Sequence, residues 1–110
     1  MYRYLQETGY QVIGTTSNAS ASDLVIFDLL KHRIQDRIPN TFFTSGEPVV
    51  TVICTGVTQI ERCHREREYA HEVNVVTTTK LIQDLEGLGS RAVYFSSNFV
   101  FDGNAGNYSE

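Results

Sequence analysis

The chain has 110 residues, 41% of them hydrophobic, with 13 acidic side chains against 9 basic ones and a net charge of -4. That length holds one modest globular domain with its own core, and no stretch has the composition of a low-complexity linker. An acidic balance without a basic stripe argues against nucleic acid as a partner, no apolar run is long enough to cross a bilayer, and Met1 to Glu7 lack the apolar core of a secretory leader, so a cytoplasmic setting is expected.

Tyr2 to Glu7 read as the last turns of a helix closed by Thr8-Gly9. Tyr10-Gln11-Val12-Ile13-Gly14 has the apolar, β-branched content of a short strand, and Asp23-Leu24-Val25-Ile26-Phe27 that of a second, which Asp28 closes. From Leu29 to Ile38, Leu30, Ile34 and Ile38 recur every four residues, a helical stripe that Pro39 interrupts before a polar connection from Asn40 to Pro48. Val49 to Cys54 is the clearest strand, six consecutive residues suited to a parallel sheet covered on both faces.

Thr55 to Gln59 form the loop at the C-terminal end of that strand. The longest helix is expected over Arg65–Glu86, with Ala70, Val73, Thr77, Leu81 and Leu85 on one face and Gly87 and Gly89 ending it. Arg91 to Phe95 make a further strand, Ser96-Ser97-Asn98 leave it through a polar turn, and Phe99 to Glu110 read as an ordered surface loop. Cys54 and Cys63 suggest neither a disulfide nor a metal knot, because Cys63, His64, His71 and the distant His32 make no compact ligand set.

Helix alternating with strand is the signature of an α/β domain, and particular residues narrow it. Val52-Ile53-Cys54-Thr55-Gly56, Thr58 with Glu61 and Cys63, Ala70 with Val73-Asn74-Val75, and above all Tyr94-Phe95-Ser96-Ser97-Asn98-Phe99-Val100-Phe101-Asp102-Gly103 resemble the extended short-chain dehydrogenase/reductase superfamily. Within it the chain looks like the dTDP-4-dehydrorhamnose reductase group, and Tyr108-Ser109-Glu110 continue the match. The resemblance implies that residues 1–110 are a partial NAD(P)-binding domain: a Rossmann-type three-layer α/β sandwich with a parallel sheet, lacking the first strand and its glycine-rich loop. That first strand stands in the centre of the family sheet, between the second and fourth strands, so its absence exposes two inner edges.

The activity implied is that of an NAD(P)-dependent nucleotide-sugar oxidoreductase acting on a nucleotide-linked keto sugar. The alternatives are a related epimerase or dehydratase, or a noncatalytic regulatory subunit that serves a protein partner. Ser97 takes the family's catalytic Ser/Thr position, where its hydroxyl positions a substrate carbonyl; Asn98, where the group commonly has aspartate, and Asp102 lie on the substrate side. Cys54, Thr55, Gly56 and Thr58 match the loop beside the nicotinamide ribose and pyrophosphate, and Asp28 the acidic residue that contacts adenine, although a lone aspartate there also makes a good helix cap.

Gly14 reads as a strand-exit glycine rather than a pyrophosphate loop, and the residues after it hold neither the acidic ribose ligand of NAD nor an arginine for the NADP phosphate, so the choice between them stays open. The family's Tyr-x-x-x-Lys pair would lie beyond Glu110, and Asn74 by itself reads as a structural or solvated helix residue. NAD or NADP is thus expected in a complete parent protein, while the isolated chain is expected to be inactive and to bind neither well.

Overall fold

The computed structural model describes residues 1–18, 20 and 23–95. In chain order these form α1 (Tyr2–Glu7), β1 (Thr15–Thr16), β2 (Val25–Ile26), a 3₁₀ turn (Ile34–Asp36), α2 (Asn40–Phe43), β3 (Val50–Ile53), α3 (Ile60–Arg65), α4 (Arg67–His71), a π turn (Glu72–Thr77), α5 (Thr78–Gly87) and β4 (Arg91–Tyr94). The strands make two separate two-stranded parallel sheets, β1-β2 and β3-β4. This is the mixed α/β architecture of a partial Rossmann-like fold, and the break between the sheets falls where the resemblance puts the family's first strand.

β1 pairs later than the apolar content of Tyr10–Gly14 predicts. Gly14 and Thr16 carbonyls accept from the Val25 and Phe27 amides at 2.9 and 2.7 Å, so the ladder starts only at the end of that run. β-Branched content marks a residue that packs well, and pairing further needs a neighbouring backbone. Ile13 packs on the core without joining the ladder.

The helix predicted over residues 29–38 is not one helix. Arg33 is extended at φ -90° and ψ 151°, which separates the Asp28 turn from the 3₁₀ turn. Ile34 and Ile38 are buried as predicted, while Leu30 is 43% exposed because the break turns it away. Side-chain bonds to the backbone compete here with helical ones: Asp28 Oδ1 accepts the Leu30 amide at 3.0 Å, and Asp36 Oδ2 accepts the Arg33 amide at 3.2 Å. The connection after Pro39 contains α2, whose Phe42 and Phe43 meet edge to face at 5.7 Å and pack on the core.

β3 and β4 pair from Val50↔Arg91 to Ile53↔Tyr94. Ser90 reinforces the start of this ladder, its hydroxyl 2.8 Å from that of Thr51 and donating to the Val49 carbonyl at 3.3 Å. The apolar run predicts cover on both faces. Instead Ile53 and Ala92 pack on the core, while Val50, Val52 and Val93 are 57%, 37% and 39% exposed.

The long helix begins earlier than predicted and is interrupted. α3 stops at Glu66, whose φ of -117° and ψ of 54° break the turn, and the chain then coils without a gap from Arg67 to Gly87. Gly89, at φ 77°, closes it in the left-handed conformation that glycine adopts without a steric penalty, and the Ser90 amide returns to the Leu85 carbonyl at 2.9 Å. The predicted stripe holds in part: Leu81 and Leu85 join Ile34, Ile38 and Ile53 in the main core, whereas Ala70 and Val73 form a second cluster with Val57.

Candidate functional site

β2 and β3 both deliver their following residues to the C-terminal ends of parallel strands, the end at which open α/β sheets bind ligands. After β2 comes Asp28. Its Oδ1 accepts from Leu30, its Oδ2 lies 2.9 Å from Lys31 Nζ, and its own amide donates to His32 Nδ1 at 2.9 Å. The Lys31 ammonium first, and the Leu30 amide second, hold the Asp28 carboxyl below its ordinary range. Asp28 therefore caps its own turn, with its carboxylate ionised and its orientation set.

After β3 comes the loop of Cys54, Thr55, Gly56, Val57 and Thr58. All are exposed except Val57, which turns inward onto Ala70 and Val73. Leu29, next to Asp28, packs against that cluster as well as the main core, which brings the two strand ends together.

The loop is held from beneath by Asn74, which the sequence by itself marks as a structural or solvated helix residue and whose partner the structure supplies. Asn74 Oδ1 accepts the Val57 amide at 2.7 Å while Asn74 Nδ2 donates to the Val57 carbonyl at 2.9 Å. Cys63 adds its thiol, donating to the same carbonyl at 3.3 Å. A Cβ on Gly56 would stand 3.2 Å from Asn74 Oδ1, so a glycine lets the turn sit this close to the helix. The signal was a single amide within Val73-Asn74-Val75-Val76, a polar group that an otherwise apolar helical run retains for a partner.

Asn74 lies in the π turn, where the helix is one residue wider. Thr78 Oγ1 donates to the Val73 carbonyl at 2.8 Å, and Thr77 Oγ1 reaches the Glu72 and Val73 carbonyls at 3.0 and 3.1 Å. These hydroxyls supply hydrogen bonds where the regular ladder changes step, and such turns recur at functional sites.

These residues can be tested against the shape of a dinucleotide. With both polar groups of the Val57 peptide held by Asn74, the outward surface left to a ligand is the small residues Cys54, Thr55 and Gly56 together with Thr58, which suits the flank of a ribose and pyrophosphate. Gly14 does not suit a pyrophosphate cradle: an added Cβ would meet Leu24 Cδ2 at 2.5 Å and Tyr2 Cδ2 at 2.9 Å, so its open side is filled by packing. Ser97, Asn98 and Asp102 lie outside the described residues. Among the described residues no group of three or more His, Cys, Asp or Glu side chains could hold a metal ion, both cysteines are free thiols, and no helix is long and apolar enough to cross a membrane.

Comparison with known proteins bears on the same positions. The family model described as the RmlD substrate binding domain matches residues 1–110. The chain is 24% identical over 110 residues to methionine adenosyltransferase 2 subunit beta of Xenopus tropicalis, a match that covers 100% of this chain and 32% of that protein. It thus spans about a third of the length of the curated relative it matches.

Proposed function

Because the chain belongs to the RmlD substrate binding domain family, which is nucleotide-sugar oxidoreductase-like, we propose that it forms the inner wall of an NAD(P) and sugar-nucleotide site in a reductase of the dTDP-4-dehydrorhamnose reductase type. The observation that carries this reading is the Cys54–Thr58 loop at the end of β3, locked by Asn74 and open on its outer side. Cys54, Thr55, Gly56 and Thr58 would flank the nicotinamide ribose and pyrophosphate, and Asp28 would meet the adenine. The bound nicotinamide would supply the hydride chemistry. The chain's own contribution is orientation, with Ser97 holding the substrate carbonyl and Asn98 and Asp102 on the sugar side.

A second reading, a noncatalytic subunit with this fold that serves a protein partner, is favoured by the name of the relative, which is a subunit beta. Hydrogen exchange on a protein of the relative's length carrying this sequence separates the two. On the first reading NADP or NAD protects amides 54–58, and a nucleotide-linked keto sugar is turned over. Protection without turnover favours the subunit, and no change at 54–58 removes the cofactor wall altogether.

A further inference from the structure

Three of the chain's 9 lysines and arginines lie between residues 31 and 37, in a protein whose net charge is -4. Two of them are matched by carboxylates: Lys31 by Asp28 at 2.9 Å, and Arg33 by Asp84 at 2.9 Å through Nη2. Arg37 is different. Among the described residues its guanidinium meets no carboxylate, and its Nη2 stands 2.5 Å from His32 Nε2.

The state of His32 decides what this contact is. Its Nδ1 accepts the Asp28 amide at 2.9 Å and must carry a lone pair. In neutral imidazole only one ring nitrogen accepts, so the proton is on Nε2. Nε2–H then faces a guanidinium N–H, donor against donor. The other tautomer moves the same conflict to Nδ1 and the Asp28 amide, and the doubly protonated ring keeps both. No protonation state open to a histidine satisfies both neighbours, and among the described residues no ion pair joins a carboxylate to either side chain.

What would satisfy both donors is an acceptor between them. We propose that His32 and Arg37 form a binding point for a phosphate-class anion, one oxygen of which accepts from His32 Nε2–H and another from the Arg37 guanidinium. A guanidinium offers two parallel donors that match phosphate oxygens, and Arg37 is exposed and able to swing outward to admit one. Neither residue is assigned to the cofactor wall, although His32 adjoins it through its bond to the Asp28 amide.

The probe is inorganic phosphate, titrated into the 110-residue chain at constant ionic strength set with sodium chloride, with the His32 and Arg37 side-chain nitrogens followed by NMR. The expected result is saturable movement of both, with a midpoint on the order of 1 mM. Arg37→Gln should weaken it by about tenfold or more, the loss expected for a charge-assisted pair, while Arg3→Gln, on exposed α1, leaves it unchanged. Shifts that rise linearly without saturating, or that are the same in Arg37→Gln, overturn the proposal.

Discussion

At the scale of single residues, two side chains hold the proposed wall. Asn74→Leu keeps the bulk of the asparagine but leaves the Val57 amide without its partner and the Val57 carbonyl with the Cys63 thiol alone. A half-buried amide left without a partner costs about 1–3 kcal/mol, so urea unfolding should show a loss of that size, and exchange of the Val57 amide should accelerate more than the global loss explains. An unaltered Val57 amide would mean that the loop is fixed by something else. Asp28 makes a pH-dependent contribution. Its carboxyl is held below the ordinary carboxylate range, by the Lys31 ammonium first, so the stabilisation is present above the carboxyl's unfolded range and fades as pH falls through the folded one. Asp28→Asn should lower the melting temperature at neutral pH, and the gap to the native chain should close in acid, once the folded carboxyl is protonated. A gap that persists there would assign the loss to packing.

At the scale of elements, the π turn is the feature on which Asn74's position depends. Thr78→Val conserves shape but removes the 2.8 Å bond to the Val73 carbonyl. With Thr78 only 3% exposed, water does not readily replace that donor, and a loss of about 1 kcal/mol is expected. NMR should also show the Asn74 side-chain amide shifting as the helix narrows; a stability loss with that signal unmoved would separate the turn from the loop. The periodic signals were legible where burial alone decides structure: Ile34, Ile38, Leu81 and Leu85 all reach the core their spacing predicts. They failed where local polar groups compete with the backbone, as Asp28, His32 and Asp36 do in breaking the helix expected over residues 29–38. β1 starts later than its apolar content predicts for another reason, since pairing depends on a partner strand that a local sequence window does not contain. Of the candidate site, the Cys54–Thr58 loop and Asp28 could be placed from the strand ends and the family resemblance. For Asn74 a structural reading was legible but its partner was not, because the contact is a tertiary one 17 residues away.

At the scale of the whole molecule, the split sheet bears on the proposed function. The two parallel pairs are joined through side chains in the core, with Ile13, Val25 and Phe27 packing against the cluster of Ile53, Leu81 and Leu85, and no ladder among the described residues connects β1 to β3. A dinucleotide held only on the Cys54–Thr58 side would lack the amide cradle that a glycine-rich turn at a helix N-terminus gives its pyrophosphate, and Gly14 is packed too closely to supply one. The wall should therefore become a binding site only when a strand and glycine-rich turn are added between the sheets. Calorimetric titration of NAD and NADP tests this most directly, performed on the 110-residue chain alone and on the same chain joined to a first strand–turn–helix unit from a reductase of the family. No saturable binding is expected of the chain alone, and one-to-one binding of order 1 μM is expected of the completed protein, weakened about tenfold or more by Asn74→Leu. Micromolar one-to-one binding by the folded chain alone, or none after completion, would contradict this.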